Sequence, residues 1–293
     1  MYAQFFGAYL LNHDAVSSEQ LIDAIRKLSD TRLKLGTLAM HEGLMTAGEV
    51  DEVCFIQTRE DKRFGEITIE RGLLTPEQAE ALLQSQTPDY LLLGQNLVDN
   101  GALTNSDLER LINDYQNDTE IFDMGVENVE GTAELIQKFF TLVDQEISPH
   151  TVAYLRLLFN DLIRFLGSDF TPLSPVKVDE VPISFCITQE VTGPMHIISR
   201  LEMSEEVALS FASRYAKMEF PEFDEYVSAS LEDFLNLHNG LFSVNMSNNE
   251  SMELSLEPPY AEEEDIALPV PKNTFVVPVI FPFGTIQFIL TFE

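Results

Sequence analysis

The chain has 293 residues and 45% hydrophobic content, enough for a real core and longer than the commonest single domain, so two domains are expected. Its formal net charge of −32 repels nucleic acid and anionic lipid, whose phosphates are bound by Lys and Arg; such a surface serves solubility or suits a basic partner. Two cysteines, Cys54 and Cys186, cannot build a disulfide framework, and MYAQFFGAYLLNHDAV lacks a basic leader region, so the sequence reads as a soluble, cytoplasmic protein of a reducing compartment.

The first elements announce themselves by repetition. Gly7, Gly36, Gly65 and Gly94 are each 29 residues apart. Seven residues after each stands Asp14, Gly43, Gly72 or Gly101, and three further on a hydroxyl: Ser17, Thr46, Thr75 or Thr104. Three beyond that comes Gln20, Glu49, Gln78 or Asp107. In each unit a short helix between the two marked positions stops where Gly (or Asp14) takes the left-handed conformation. The hydroxyl then caps a second helix, and the acid or amide completes a capping box. Pro76 falls at a first helical position, where its missing N–H costs nothing. Apolar residues at helical spacing, such as Leu21, Ile25 and Leu28, give each second helix a face its neighbours must bury. Residues 1–118 are therefore expected to form an all-α domain of four 29-residue helical hairpins.

Two consecutive copies, Lys34 to Gln57 and Arg63 to Gln86, span 24 residues each with a five-residue spacer. They resemble the tandem motif of the MshEN-type domain, the N-terminal domain of type II secretion and pilus ATPases. That motif has Arg-Leu-Gly, a glycine seven further on, Ser or Thr, and a closing Gln. The resemblance implies a site for cyclic di-GMP built from Lys34, Leu35, Gly36 and Gln57 with Arg63, Gly65 and Gln86. A cation would meet phosphate, a glycine would admit close backbone approach, and an amide would read a purine edge. The chain departs from the motif at Lys34, which lacks arginine's fork, and at Phe64, Ala39 and Thr68. The outer copies carry Phe5 and Leu92 at the basic position yet keep the glycines and hydroxyls, which folding alone explains. A structural or protein-docking repeat is the alternative.

Residues 119–148 read as a junction with one amphipathic helical stretch, Thr132 to Val143. A second helix, TVAYLRLLFNDLIRFLG, ends at Gly167. SDFTPLSPVKV reads as a loop, Val181 to Glu190 as a strand, Thr192-Gly193-Pro194 as a turn, and Met195 to Met203 as a second strand. Ser204 caps a helix running to about Lys217, with Glu205 and Glu206 in its first turn. Another helix starts near Asp224 and passes through SLEDFLNLHNGLF. SNNE (247–250) reads as a turn before a strand from Ser251 to Leu256, and PPYAEEEDIALPVPKN as an acidic loop. The apolar stretch Phe275 to Phe292 is broken by Pro278, Pro282, Gly284 and Gln287; it reads as two strands around PFG rather than a membrane span. The fold class is α+β overall, with an α/β layer on a mainly antiparallel sheet over 149–293.

That order, with TGPMHIISRLEMSEEVALSFASRYA leading to DFLNLHNG and ending in GTIQFILTFE, resembles the CheC/CheX chemotaxis phosphatase family, the CheX branch best. The family hydrolyses the aspartyl-phosphate of a phosphorylated response regulator. Its signature is a Glu and an Asn three apart on one helix, with a glycine four beyond the Asn. Here Asn236 and Gly240 match, and Asp233 stands where the family has glutamate. The resemblance implies catalytic roles for Asp233 and Asn236, no cofactor of the chain's own, a metal ion on the partner receiver, and a homodimer. Positions i and i+3 share a helix face, so both side chains can enter a partner's active site together. A neutral amide can place a water in line with phosphorus, and a carboxylate can anchor a basic group of the receiver. Asp233 is shorter than Glu by roughly 1.5 Å of reach.

The histidines, His13, His41, His150, His196 and His238, fall into no ligand spacing, and the run Glu262 to Asp265 reads as solvated. His238 is expected to be a polar helix residue facing away from Asn236. No Gly-rich phosphate loop and no Gly-x-Ser-x-Gly occurs. The sequence thus implies a two-component signalling protein whose partner is a phosphorylated receiver. A cyclic di-GMP receptor and a non-catalytic adaptor are the alternatives.

Overall fold

The computed structural model describes residues 2–28, 31–84, 89–119, 129–141, 147–262 and 266–293. The chain divides into two compact units, Ala3–Gly125 and Val126–Glu293.

The first unit is helical. After a 3₁₀ turn at Tyr2–Phe5 come α1 (Phe6–Asn12), α2 (Ser18–Arg26), α3 (Leu35–His41), α4 (Ala47–Gln57), α5 (Phe64–Glu70), α6 (Pro76–Gln84), α7 (Asp89–Asp99) and α8 (Asn105–Thr119). The periodic positions have physical counterparts. Asp14, Gly43, Gly72 and Gly101 all adopt positive φ, from 52° to 78°, where the odd-numbered helices end. Ser17–Gln20, Thr46–Glu49, Thr75–Gln78 and Thr104–Asp107 each exchange both capping bonds. Leu38, Val50, Val53, Ile67, Leu74 and Leu82 share one buried cluster. A Cβ on Gly94 would come within 2.5 Å of Leu108 Cδ1, and one on Gly36 within 2.9 Å of Val50 Cγ1, so these glycines permit close helix packing.

The second unit begins with α9 (Val129–Thr141), which packs on α10 (Pro149–Phe165). Ser148 caps α10 ahead of Pro149, and Gly167 at φ 113° ends the turn beyond it. The strands are β1 (Thr171–Pro172), β2 (Val176–Lys177), β3 (Glu180–Ile183), β4 (Phe185–Thr192), β5 (Ile197–Met203), β6 (Ser255–Leu256), β7 (Tyr260–Glu262), β8 (Ile266–Pro269), β9 (Thr274–Phe281) and β10 (Gly284–Phe292). The main sheet has the order β1-β9-β10-β5-β4-β6, with β2 also on β9 and β7 also on β4, every pairing antiparallel. The helices α11 (Glu205–Ala216) and α12 (Glu225–Glu250) pack on each other, α11 against β10 and α12 against β4 and α10. Their core side is apolar: Ile187, Leu201, Phe211, Phe234, Phe242 and Phe288 are fully or almost fully buried.

Several expectations are corrected. SNNE is the last turn of α12, not a separate turn: burial of Phe242 and Met246 carries the helix through those polar residues until Ser251 takes the left-handed conformation. The strand after it shrinks to Ser255–Leu256. The expected single strand Val181 to Glu190 breaks at Ser184; β3 pairs with β8 in a separate ribbon, and Val181 packs over Val276 and Ile289 of the main sheet. The proline-rich segments expected as loops contribute β1, β2, β7 and β8. Of the acidic run, residues 263–265 lie outside the described residues.

Candidate functional site

Asp233 and Asn236, the residues singled out in the sequence, are carried by α12. Asp224 caps its start by accepting from the Tyr226 and Val227 N–H groups, which fixes the helix's first turn. From there Val227, Leu231, Phe234, Leu235 and Phe242 point into the core. On the opposite stripe Tyr226, Asp233, Asn236 and Val244 are exposed, and the two intended site residues lie side by side one turn apart. Gly240, the next position on this stripe, has nothing within 4 Å of where a Cβ would sit.

Neither polar side chain is left to rotate. The Tyr215 hydroxyl of α11 donates to Asp233 Oδ2 at 2.6 Å. Burial, with the nearby Asp233 charge adding to it, pushes the Tyr215 phenol above its ordinary range, so it remains a donor. Gln189 of β4 donates from Nε2 to Asn236 Oδ1 at 2.8 Å. Behind it lies a continuous buried chain. Gln189 Nε2 also donates to the Glu257 carbonyl at 2.9 Å, and its Oε1 accepts from Asn239 Nδ2 at 2.8 Å. Asn239 Nδ2 donates in addition to Ser199 Oγ at 2.9 Å, and the Tyr154 hydroxyl donates to Asn239 Oδ1 at 2.8 Å. Sequence reasoning missed Gln189 and Tyr215. Beside Asp233 a cleft of about 670 Å³ opens between the end of α11 and the start of α12, lined by Tyr215, Met218, Phe220 and Tyr226.

His238 points away from Asn236, into the core. It is fully buried, its Nδ1 lies 2.8 Å from Asp161 Oδ2, and its ring packs edge-on to Tyr154. Its position two residues from Asn236 places it on the opposite, inward side of α12. Burial pushes the Cys186 thiol up to about 12, which keeps it unreactive.

In the first unit, Lys34, Leu35, Gly36 and Gln57 line one cleft of about 430 Å³ together with Phe64, Gln95 and Asp99. The Lys34 ammonium is already paired with the Asp99 carboxylate at 2.5 Å, and the Lys34 N–H donates to buried Gln95 Oε1 at 2.6 Å. Arg63 is exposed and caps α5 by donating its N–H to Glu66. It is not among the residues lining that cleft. Gly65 faces Leu35, whose Cδ2 would be 3.2 Å from an added Cβ. Gln86 lies outside the described residues. Among the described residues no group of three or more His, Cys, Asp or Glu side chains could hold a metal ion. No helix among them is long and apolar enough to cross a membrane.

No family profile and no curated protein matches the chain. Among solved structures, the chemotaxis protein CheX from Desulfovibrio desulfuricans is similar at 12% identity, over 50% of this chain and 100% of that one, with a TM-score of 0.44. A CheX–CheY–BeF3–Mg2+ complex from Borrelia burgdorferi is similar at 18% identity, over 49% of this chain and 97% of that one, also with a TM-score of 0.44. CheX from Vibrio vulnificus is similar at 14% identity, over 50% of this chain and 100% of that one, with a TM-score of 0.43.

Proposed function

We propose that the chain is a two-component, chemotaxis-type signalling protein whose second unit docks a phosphorylated receiver domain on the Asp233–Asn236 face of α12 and speeds loss of its phosphoryl group. The observation that carries this reading is the presentation of a carboxylate and an amide from one exposed helix face, each held by a hydrogen bond from a neighbouring element. The receiver brings the acyl phosphate and the metal ion, so this chain has little covalent chemistry to perform. Asn236 places a water in line with phosphorus; the water oxygen bonds to phosphorus as the bond to the aspartyl oxygen breaks. The products are inorganic phosphate and a free receiver carboxylate, the water's proton leaving with phosphate or to solvent. Asp233 binds a basic group of the receiver through a charge-assisted hydrogen bond, and the apolar cleft beside it gives the partner a surface to cover.

The test is to add the chain to a panel of receivers phosphorylated with acetyl phosphate and follow phosphate loss. Acceleration that vanishes in Asn236→Ala is expected. No acceleration with any receiver overturns the catalytic reading; binding without acceleration leaves a docking adaptor.

A second reading attaches to the cleft that gathers Lys34, Leu35, Gly36 and Gln57. Cyclic di-GMP bound there would have to displace Asp99 from Lys34, so weak binding is expected, tightened by Asp99→Asn. A flat calorimetric trace for both forms rules it out.

A further inference from the structure

We infer that Gln189 is the positioning residue of this site: it fixes the Asn236 amide with Oδ1 turned in and Nδ2 turned out toward the partner. The inference rests on the proposed receiver reading and goes a step past it.

The argument is one of hydrogen-bond polarity. Amide oxygen and nitrogen look alike in shape, so orientation must come from partners that cannot change roles. The Glu257 carbonyl can only accept, so Gln189 must turn Nε2 toward it. The second Nε2 hydrogen then goes to Asn236, which must answer with Oδ1. On its other side Gln189 Oε1 receives Asn239 Nδ2, whose remaining hydrogen goes to Ser199 Oγ and whose oxygen accepts from Tyr154. Both N–H groups of Gln189 and both of Asn239 are thereby used. Asn236 Nδ2 makes no hydrogen bond among the described residues, and this group faces the side a receiver would occupy.

Besides holding Asn236, Gln189 satisfies the Glu257 carbonyl and the buried Asn239 amide, so it joins the exposed Asn236 to the core network. It is fully buried on β4 at the same inward register as Ile187 and Val191, where an apolar side chain would pack without needing partners. Asn236, being exposed, could satisfy its own amide with water. The relay does not rescue Asn236 from burial; it dictates which end of Asn236 meets the partner.

Two variants test this in the full chain, with acetyl-phosphate-labelled receiver as substrate and beryllofluoride-treated receiver as the binding probe. Gln189→Met keeps volume and removes the donor; Gln189→Glu replaces the donor by an acceptor and would turn the Asn236 amide around. Both are expected to lower turnover at saturating receiver by about ten- to a hundredfold, the loss typical of a reacting group displaced by an ångström, while the binding constant stays within about threefold, since docking groups on the α12 surface are untouched. The side-chain ¹⁵N amide signals of Asn236 should shift in both. A folded Gln189→Met protein with wild-type turnover and unshifted Asn236 amide signals overturns the inference and leaves the receiver reading standing. Failure of the wild-type chain to accelerate phosphate loss removes both at once.

Discussion

Under the proposed receiver reading, Asp233 is the residue whose length can be tested most directly. Its carboxylate is aimed by Tyr215, yet it is a methylene shorter than the glutamate of the resembled family. We expect Asp233→Glu to raise receiver dephosphorylation and Asp233→Ala to weaken receiver binding, both read from progress curves at varied receiver concentration. His196 offers a pH test of a different kind. Its ring meets Glu293 at 3.2 Å and Glu190 at 3.3 Å, tying the start of β5 to the chain end. The Glu293 bond, with Glu190 adding to it against some burial, raises its pKa above 6.5. A raised histidine stabilises the fold fully below its unfolded value and loses that contribution as pH rises through the folded one. Wild type should therefore melt above His196→Gln below the ordinary histidine pKa of about 6.5, and the two should converge as pH rises past the raised value. At this scale the Asp-x-x-Asn spacing was legible because i and i+3 meet on any helix. Gln189 was not: its partners come from Glu257, Asn239 and Asn236, far away in sequence. A signal existed, since alternation along Ile187, Gln189 and Val191 puts an amide at a core register.

At the scale of elements, glycine separates packing from presentation. Gly94 cannot accept a methyl group without moving Leu108, whereas Gly240 stands in open space in the middle of a 26-residue helix. Nothing among the described residues requires a glycine there. Gly240→Ala should then gain about 0.5–1 kcal/mol of helix stability, and Gly94→Ala should lose stability, an opposite pair of shifts readable by thermal melts. If a receiver covers the α12 stripe, Gly240→Ala should also weaken its binding, because the added methyl sits next to Asn236 on the covered face. Helix starts in the first unit were legible because a capping box is decided within four residues. The end of α12 was not, because Ser247, Asn248 and Asn249 favour a turn locally and burial of Met246 overrules them. Likewise the break at Ser184 depends on β8, some eighty residues onward, pairing with β3.

For the molecule as a whole, charge dominates the response to solvent. A net charge of −32 is self-repulsion that salt screens over about 10 Å at ~0.1 M. The melting temperature should rise as sodium chloride increases from about 0.05 M to about 0.5 M; a fall would mean that ion pairs such as Lys34–Asp99 and Arg214–Asp169 outweigh the repulsion. The buried polar chain has a consequence at this scale too. It passes from α10 at Tyr154 through α12 at Asn239 to β4 at Gln189 and back to the surface at Asn236, so each member's donor or acceptor role is set by the next. Replacing one alone strands a neighbour in the core. Tyr154, Gln189, Ser199 and Asn239 are therefore coupled in the core, so that two of them replaced together by apolar residues should cost less than the sum of the single replacements, while Asn236 at the exposed end can turn to water.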